Sequence, residues 1–165
     1  MSDLDKLETI VFANEKIGLA MKAFRAVRMS PEAADNDPIL AEQGKGEPRL
    51  LIIDPIKEKV KVLEESKIKV SSLYSEMKKA SASFYKEKLD KCVKSHLKLL
   101  TAQDQLANEV KVLSTKEGKL AEDGEKAEKK LAKVREELKA VEKELEDIKN
   151  EQLEIWKLTP KKQAA

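Results

Sequence analysis

The sequence predicts an all-α protein: an extended coiled coil with a short N-terminal helix and one long helix. Three observations carry this expectation. Charged residues make up 39% of the 165-residue chain and aromatics only 4%, the profile of long helices with narrow apolar seams. From Leu106 to Ile155, apolar residues recur at alternating gaps of four and three: Leu106, Val110, Leu113, Leu120, Ala127, Leu131, Val134, Leu138, Val141, Leu145, Ile148 and Ile155. Glu117, Gly124 and Gln152 interrupt the frame. A 3.5-residue repeat held this long keeps one helical stripe facing a partner as two helices wrap together. Third, four of the five prolines and two of the five glycines fall between residues 30 and 55, which sets that stretch apart from the helical remainder.

The first segment, 1–29, reads as an amphipathic helix. Ser2 is a candidate N-cap with Asp5 three residues on. Leu4, Leu7, Ile10, Val11, Ile17, Met21, Phe24 and Val27 share one broad face. Met29-Ser30-Pro31 closes it, because proline disfavours helical geometry in the preceding residue. Segment 30–54 reads as a loop or linker, with Asn36-Asp37-Pro38 and Gly44-Lys45-Gly46-Glu47-Pro48 as turns. It ends on Leu50-Leu51-Ile52-Ile53, a run that docks on helices or adds a strand where a sheet exists.

Asp54-Pro55 marks the start of the long helix, 55–158: aspartate caps free amides and proline opens a first turn at no cost in hydrogen bonds. Ile56, Val60, Leu63, Val70, Tyr74, Met77 and Phe84 form its first frame, which slips and broadens from Leu89 to Leu100. Gly118 and Gly124 are the two points at which this helix could fold back. Each glycine costs about 1 kcal/mol against alanine, small beside the ~1.5–3 kcal/mol of a fully buried leucine. The frame also keeps phase from Leu113 to Ala127, which favours continuity and a helix on the order of 150 Å long. Thr159-Pro160 stops it, and 159–165 reads as a frayed basic tail.

Charge argues the other way on the question of a fold-back. Lys57–Lys98 holds twelve basic and six acidic residues, Lys119–Lys157 ten basic and twelve acidic. Such a pair suits antiparallel packing. A parallel homodimer in the seam's register would oppose Asp123 to Glu128, Lys130 to Arg135 and Glu137 to Glu142, with only Glu144 and Lys149 attracting. The expected partner is therefore another coiled-coil helix, by antiparallel self-association or from a different chain. Leu131, Val134, Leu138, Val141, Leu145, Ile148 and Ile155 form the expected oligomer interface.

Chemistry is sparse. Leu50-Leu51-Ile52-Ile53-Asp54 has the outline of a Walker B strand, but Gly44-Lys45-Gly46-Glu47 lacks the spacing and hydroxyl of a phosphate loop. Cys92 and His96 lie one turn apart, yet no further Cys or His exists to complete a metal site. No catalytic residue, cofactor or metal is expected. Lys86, Lys88, Lys91, Lys94 and Lys98, with Lys78 and Lys79 two turns earlier, make a basic face suited to phosphate contacts. Thr159-Pro160-Lys161-Lys162 resembles the Ser/Thr-Pro-Lys-Lys element of linker-histone tails, which implies minor-groove contacts, and also a proline-directed kinase site. Lys161 and Lys162 therefore join the phosphate-contact candidates. A single cysteine, an acidic N-terminus and no apolar run near ~20 residues point to an intracellular protein, cytoplasmic or nuclear, without a membrane span. The expected function is non-enzymatic oligomerisation and scaffolding; the alternative is nucleic-acid association through the Lys78–Lys98 face and the tail.

Overall fold

A computed structural model describes residues 7–38, 40–43, 49–54, 56–57, 59–64, 67–122 and 128–161. It is mostly helical but includes a two-stranded sheet, so the all-α expectation gives way to a helical protein with a small β-hairpin. The chain divides into two compact units. One holds Met1–Val93 with Leu158–Ala165, the other Lys94–Lys157.

In the first unit the N-terminal helix is shorter than its apolar pattern suggests. Leu7–Phe12 form a π-helical segment, Glu15–Ala20 form helix α1, and Met21–Ala23 a 3-10 turn. Asn14 makes the break: its backbone is extended and its side chain accepts the Lys16 amide at 3.1 Å, local competition typical of asparagine. Phe24 turns extended and ends the segment. Leu7, Val11, Ile17, Leu19, Ala20 and Ala23 are buried, whereas Ile10 and Val27 face solvent. The Ser2 cap lies outside the described residues. Ser30 caps helix α2 (Pro31–Asp35) by accepting the Ala33 amide, with proline in the first turn.

Pro55, the expected helix start, lies outside the described residues, and Ile56 and Lys57 after it form a turn. Strand β1 (Arg49–Asp54) pairs antiparallel with β2 (Lys59–Glu64), Leu51 opposite Val62 and Ile53 opposite Val60. Asp54 does accept two amides, from Ile56 and Lys57 at 3.2 Å each. That bonding closes an aspartate-capped turn as readily as it caps a helix, and the alternating Lys-Val-Lys-Val of β2 decides for the strand. The sheet packs on helix α3 (Val70–Phe84), which also contacts α1. Such support is what a two-stranded hairpin needs.

The Ser83 hydroxyl donates to the second oxygen of Asp54, tying the turn to α3. Burial opposes ionisation of this carboxyl, but the bonds from Ser83, Lys57 and Ile56 and the Lys57 charge together hold its pKa below the ordinary 3.8. Its stabilisation is then complete above the ordinary pKa and is lost as pH falls through the folded-state value. Asp54→Ala should cost about 1–3 kcal/mol at neutral pH through the orphaned partners. In urea titrations the gap between wild type and variant should narrow on acidification; a gap independent of pH would show that ionised Asp54 contributes nothing.

Helix α3 buries Leu73, Met77, Ala80 and Ser81. It stops at Tyr85, whose backbone is extended, and helix α4 (Leu89–Glu122) begins four residues on. The broadened pattern at Leu89 thus marks a new helix. Ser81 donates to the Lys78 carbonyl three residues back, a local bond in the last turns of α3. Ile17, Val93, Ser81 and Leu89 are the best-buried large side chains of the unit, each at most 3% exposed.

In the second unit, α4 passes through Gly118 as helix, and the chain then returns as helix α5 (Glu128–Ile155). Gly124 lies outside the described residues. Arg135 bonds Glu117 at 2.7 Å, Gln152 bonds Gln103 at 2.8 Å, and Trp156 bonds His96 at 3.0 Å. One partner's number falls as the other's rises, so the two helices run antiparallel. In place of one continuous helix, the described residues of 55–158 form strand β2 and helices α3, α4 and α5, and the seam finds a partner within its own chain. Leu113, Val134 and Val141 are buried there, with Leu106, Val110, Leu120 and Leu138 packed against them.

Candidate anion-binding pocket and helix seam

The tail expected to fray is pinned along 159–161. Tyr85 and Pro160 face each other as an isolated antiparallel bridge. The Lys86 amide donates to the Thr159 carbonyl at 3.1 Å and the Lys161 amide to the Phe84 carbonyl at 2.7 Å. The Thr159 amide donates to Glu87 Oε2 at 2.9 Å, and Lys161 Nζ to the Ala82 carbonyl at 2.5 Å. Proline has no N–H to offer a ladder, so Thr159 and Lys161 supply the bonds on either side of it. The Tyr85 hydroxyl donates to the Ala23 carbonyl at 3.3 Å, fixing the junction to the N-terminal segment.

The docked tail borders an open pocket of about 320 Å³ lined by Lys78, Ala82, Tyr85, Lys86, Glu87, Lys88, Leu89, Asp90 and Lys161. Four lysines thus meet two carboxylates, and both carboxylates have other partners. The Thr159 amide, then the Glu87 amide and the Thr159 hydroxyl, hold Glu87 below the usual carboxylate range. Asp90 accepts the Tyr74 hydroxyl at 3.3 Å. Burial, then the Asp90 charge and that bond, push the Tyr74 phenol up to about 12, so it remains a donor. Lys78 Nζ sits 5.1 Å from the centre of the Tyr74 ring, a cation–π contact.

Of the lysines singled out in the sequence, the structure brings Lys86, Lys88 and Lys161 to this pocket, together with Lys78. Lys91 is exposed early in α4; Lys94 and Lys98 are exposed in the second unit. Lys162 lies outside the described residues. Thr159 and Glu87 position the tail and carry no sequence signal for it, since an amide–carboxylate bond leaves no spacing pattern. The Asp54 carboxylate bonds its own turn and Ser83.

Burial, then the Glu87 charge, pushes the Cys92 thiol up, which keeps it protonated at neutral pH. His96 is 4% exposed and its Nδ1 accepts the Trp156 indole N–H. Among the described residues, no group of three or more His, Cys, Asp or Glu side chains is arranged to hold a metal ion. No described helix is long and apolar enough to cross a membrane.

The second unit offers a different surface. Val134 and Val141 are buried by α4, whereas Leu131, Leu138, Leu145, Ile148 and Ile155 are only half-covered. The residues expected to face another chain therefore face their own chain in part. Comparison with protein-family models, with curated proteins and with solved structures finds no match.

Proposed function

We propose that this protein is a non-enzymatic assembly protein whose α4–α5 seam engages a further helix in a coiled coil, by antiparallel self-association or from a different chain. The observation that supports this is the half-exposure of Leu131, Leu138, Leu145, Ile148 and Ile155 within the two-helix unit. Two helices bury one stripe each and leave its flanks wet, and a third or fourth helix removes that apolar area from water at ~25 cal/mol per Å². Sedimentation equilibrium across micromolar to near-millimolar chain tests the self-association arm. The expected mass is a multiple of 18.6 kDa, and Leu145→Gln should dissociate it without lowering helical content. A mass of 18.6 kDa at every concentration would rule self-association out.

The nucleic-acid alternative is favoured by one observation, the meeting of Lys78, Lys86, Lys88 and Lys161 at one pocket. Retention of labelled DNA or RNA should then fall steeply as salt rises.

A further inference from the structure

The lysine-lined pocket goes beyond both readings, because its size and composition describe a ligand smaller than a helix or a duplex. Its volume, about 320 Å³, is at the low end of small-molecule sites. Its lining carries a formal excess of two positive charges. Glu87 is engaged by the Thr159 amide and Asp90 by the Tyr74 hydroxyl. Among the described residues, Lys78, Lys86 and Lys88 take part in no ion pair. Leu89 and Asp90 open a helix of 34 residues, whose amino end adds roughly half a positive charge to the same place. Lysine ammoniums, as compact point charges with rotatable donors, suit phosphate oxygens. Arginine is absent from the lining, and its single ring, Tyr85, is held by its hydroxyl to Ala23, which leaves no stacking platform for bases.

We propose that this pocket binds a small phosphorylated molecule, with Lys86, Lys88 and Lys161 holding its phosphate oxygens and the docked tail forming one wall. The test is calorimetric titration of the full chain with inorganic tripolyphosphate and, separately, with a single-stranded oligonucleotide. Lys86→Ala/Lys88→Ala is compared with Lys139→Ala/Lys143→Ala, two exposed α5 positions that remove the same charge. A third variant ends the chain after Leu158 and so removes Lys161.

Saturable binding of tripolyphosphate is expected. The pocket pair and the shortened chain should each weaken it by about tenfold or more, in line with the loss of charge-assisted hydrogen bonds, while the α5 pair changes it by less than about twofold. Circular dichroism of each variant separates lost binding from lost fold, and the shortened chain gives a second reading if the double variant misfolds. Absence of saturable tripolyphosphate binding overturns the proposal. So does equal weakening by the pocket and α5 pairs, which would indicate diffuse charge. Binding of the oligonucleotide alone, lost in the pocket variants, would also overturn it and assign the lysines to a nucleic-acid surface.

Discussion

Replacing Val134 with aspartate should open the α4–α5 hairpin. Val134 is 3% exposed and sits in the cluster with Leu113 and Val141. An unpaired carboxylate there loses the valine's burial and must either ionise in an apolar setting or take up a proton, a cost of about 3–5 kcal/mol. Two helices packed along one seam have little reserve against such a loss. Trp156, the single tryptophan, reports it directly, because its indole bonds His96 across the pair. The expected result is red-shifted emission with a fall in helical signal. Aspartate at exposed Ala132, two residues away, should cost no more than about 1 kcal/mol, mostly helix propensity. Equal effects at the two sites would mean that the seam does not hold the unit together.

The second large effect is expected at Ile17, which is 0% exposed in the first unit. Ile17→Ala removes three carbon atoms from a site enclosed on all sides and should cost about 2–5 kcal/mol, against 0.5–1.5 kcal/mol, roughly, for Ile17→Val. Ile10 belongs to the same N-terminal segment and the same apolar pattern, yet is 60% exposed. Ile10→Ala should therefore stay within about 0.5 kcal/mol of wild type. Denaturant midpoints of the three variants decide the matter. Comparable losses at Ile10 and Ile17 would contradict the break at Asn14 that separates their environments.

These contrasts show where sequence reasoning reaches its limit. The seam from Leu106 to Ile155 was legible because a long period in a charged background marks one helix face. The same period is indifferent to direction, so unbroken phase through Leu120 argued for a continuous helix that the chain does not form. Charge did not decide it either: most of Lys57–Lys98 belongs to the first unit, and the Arg135–Glu117 pair sets an acid of α4 against a base of α5. Leu50–Ile53 was legible as able to form a strand; β2 was missed because Ile56, Val60 and Leu63 fit gaps of four and three by coincidence, while Lys-Val-Lys-Val carried the period of two. At the pocket, lysines on α3 and at the α4 start were legible as a basic face. Their meeting with Lys161 was not, since main-chain bonds of Thr159 and Lys161 draw the tail in, and any residue but proline can make those.

The pinned tail also fixes an order of events during synthesis. The chain leaves the first unit after Val93 and re-enters it at Leu158, so the whole second unit is made before the first can be finished. Until residues 158–161 have been synthesised, Tyr85 has no bridge partner, Glu87 lacks the Thr159 amide, and the lysine pocket lacks a wall. Formation of the α4–α5 hairpin shortens the effective loop between Tyr85 and Pro160, which lowers the entropy cost of closing it.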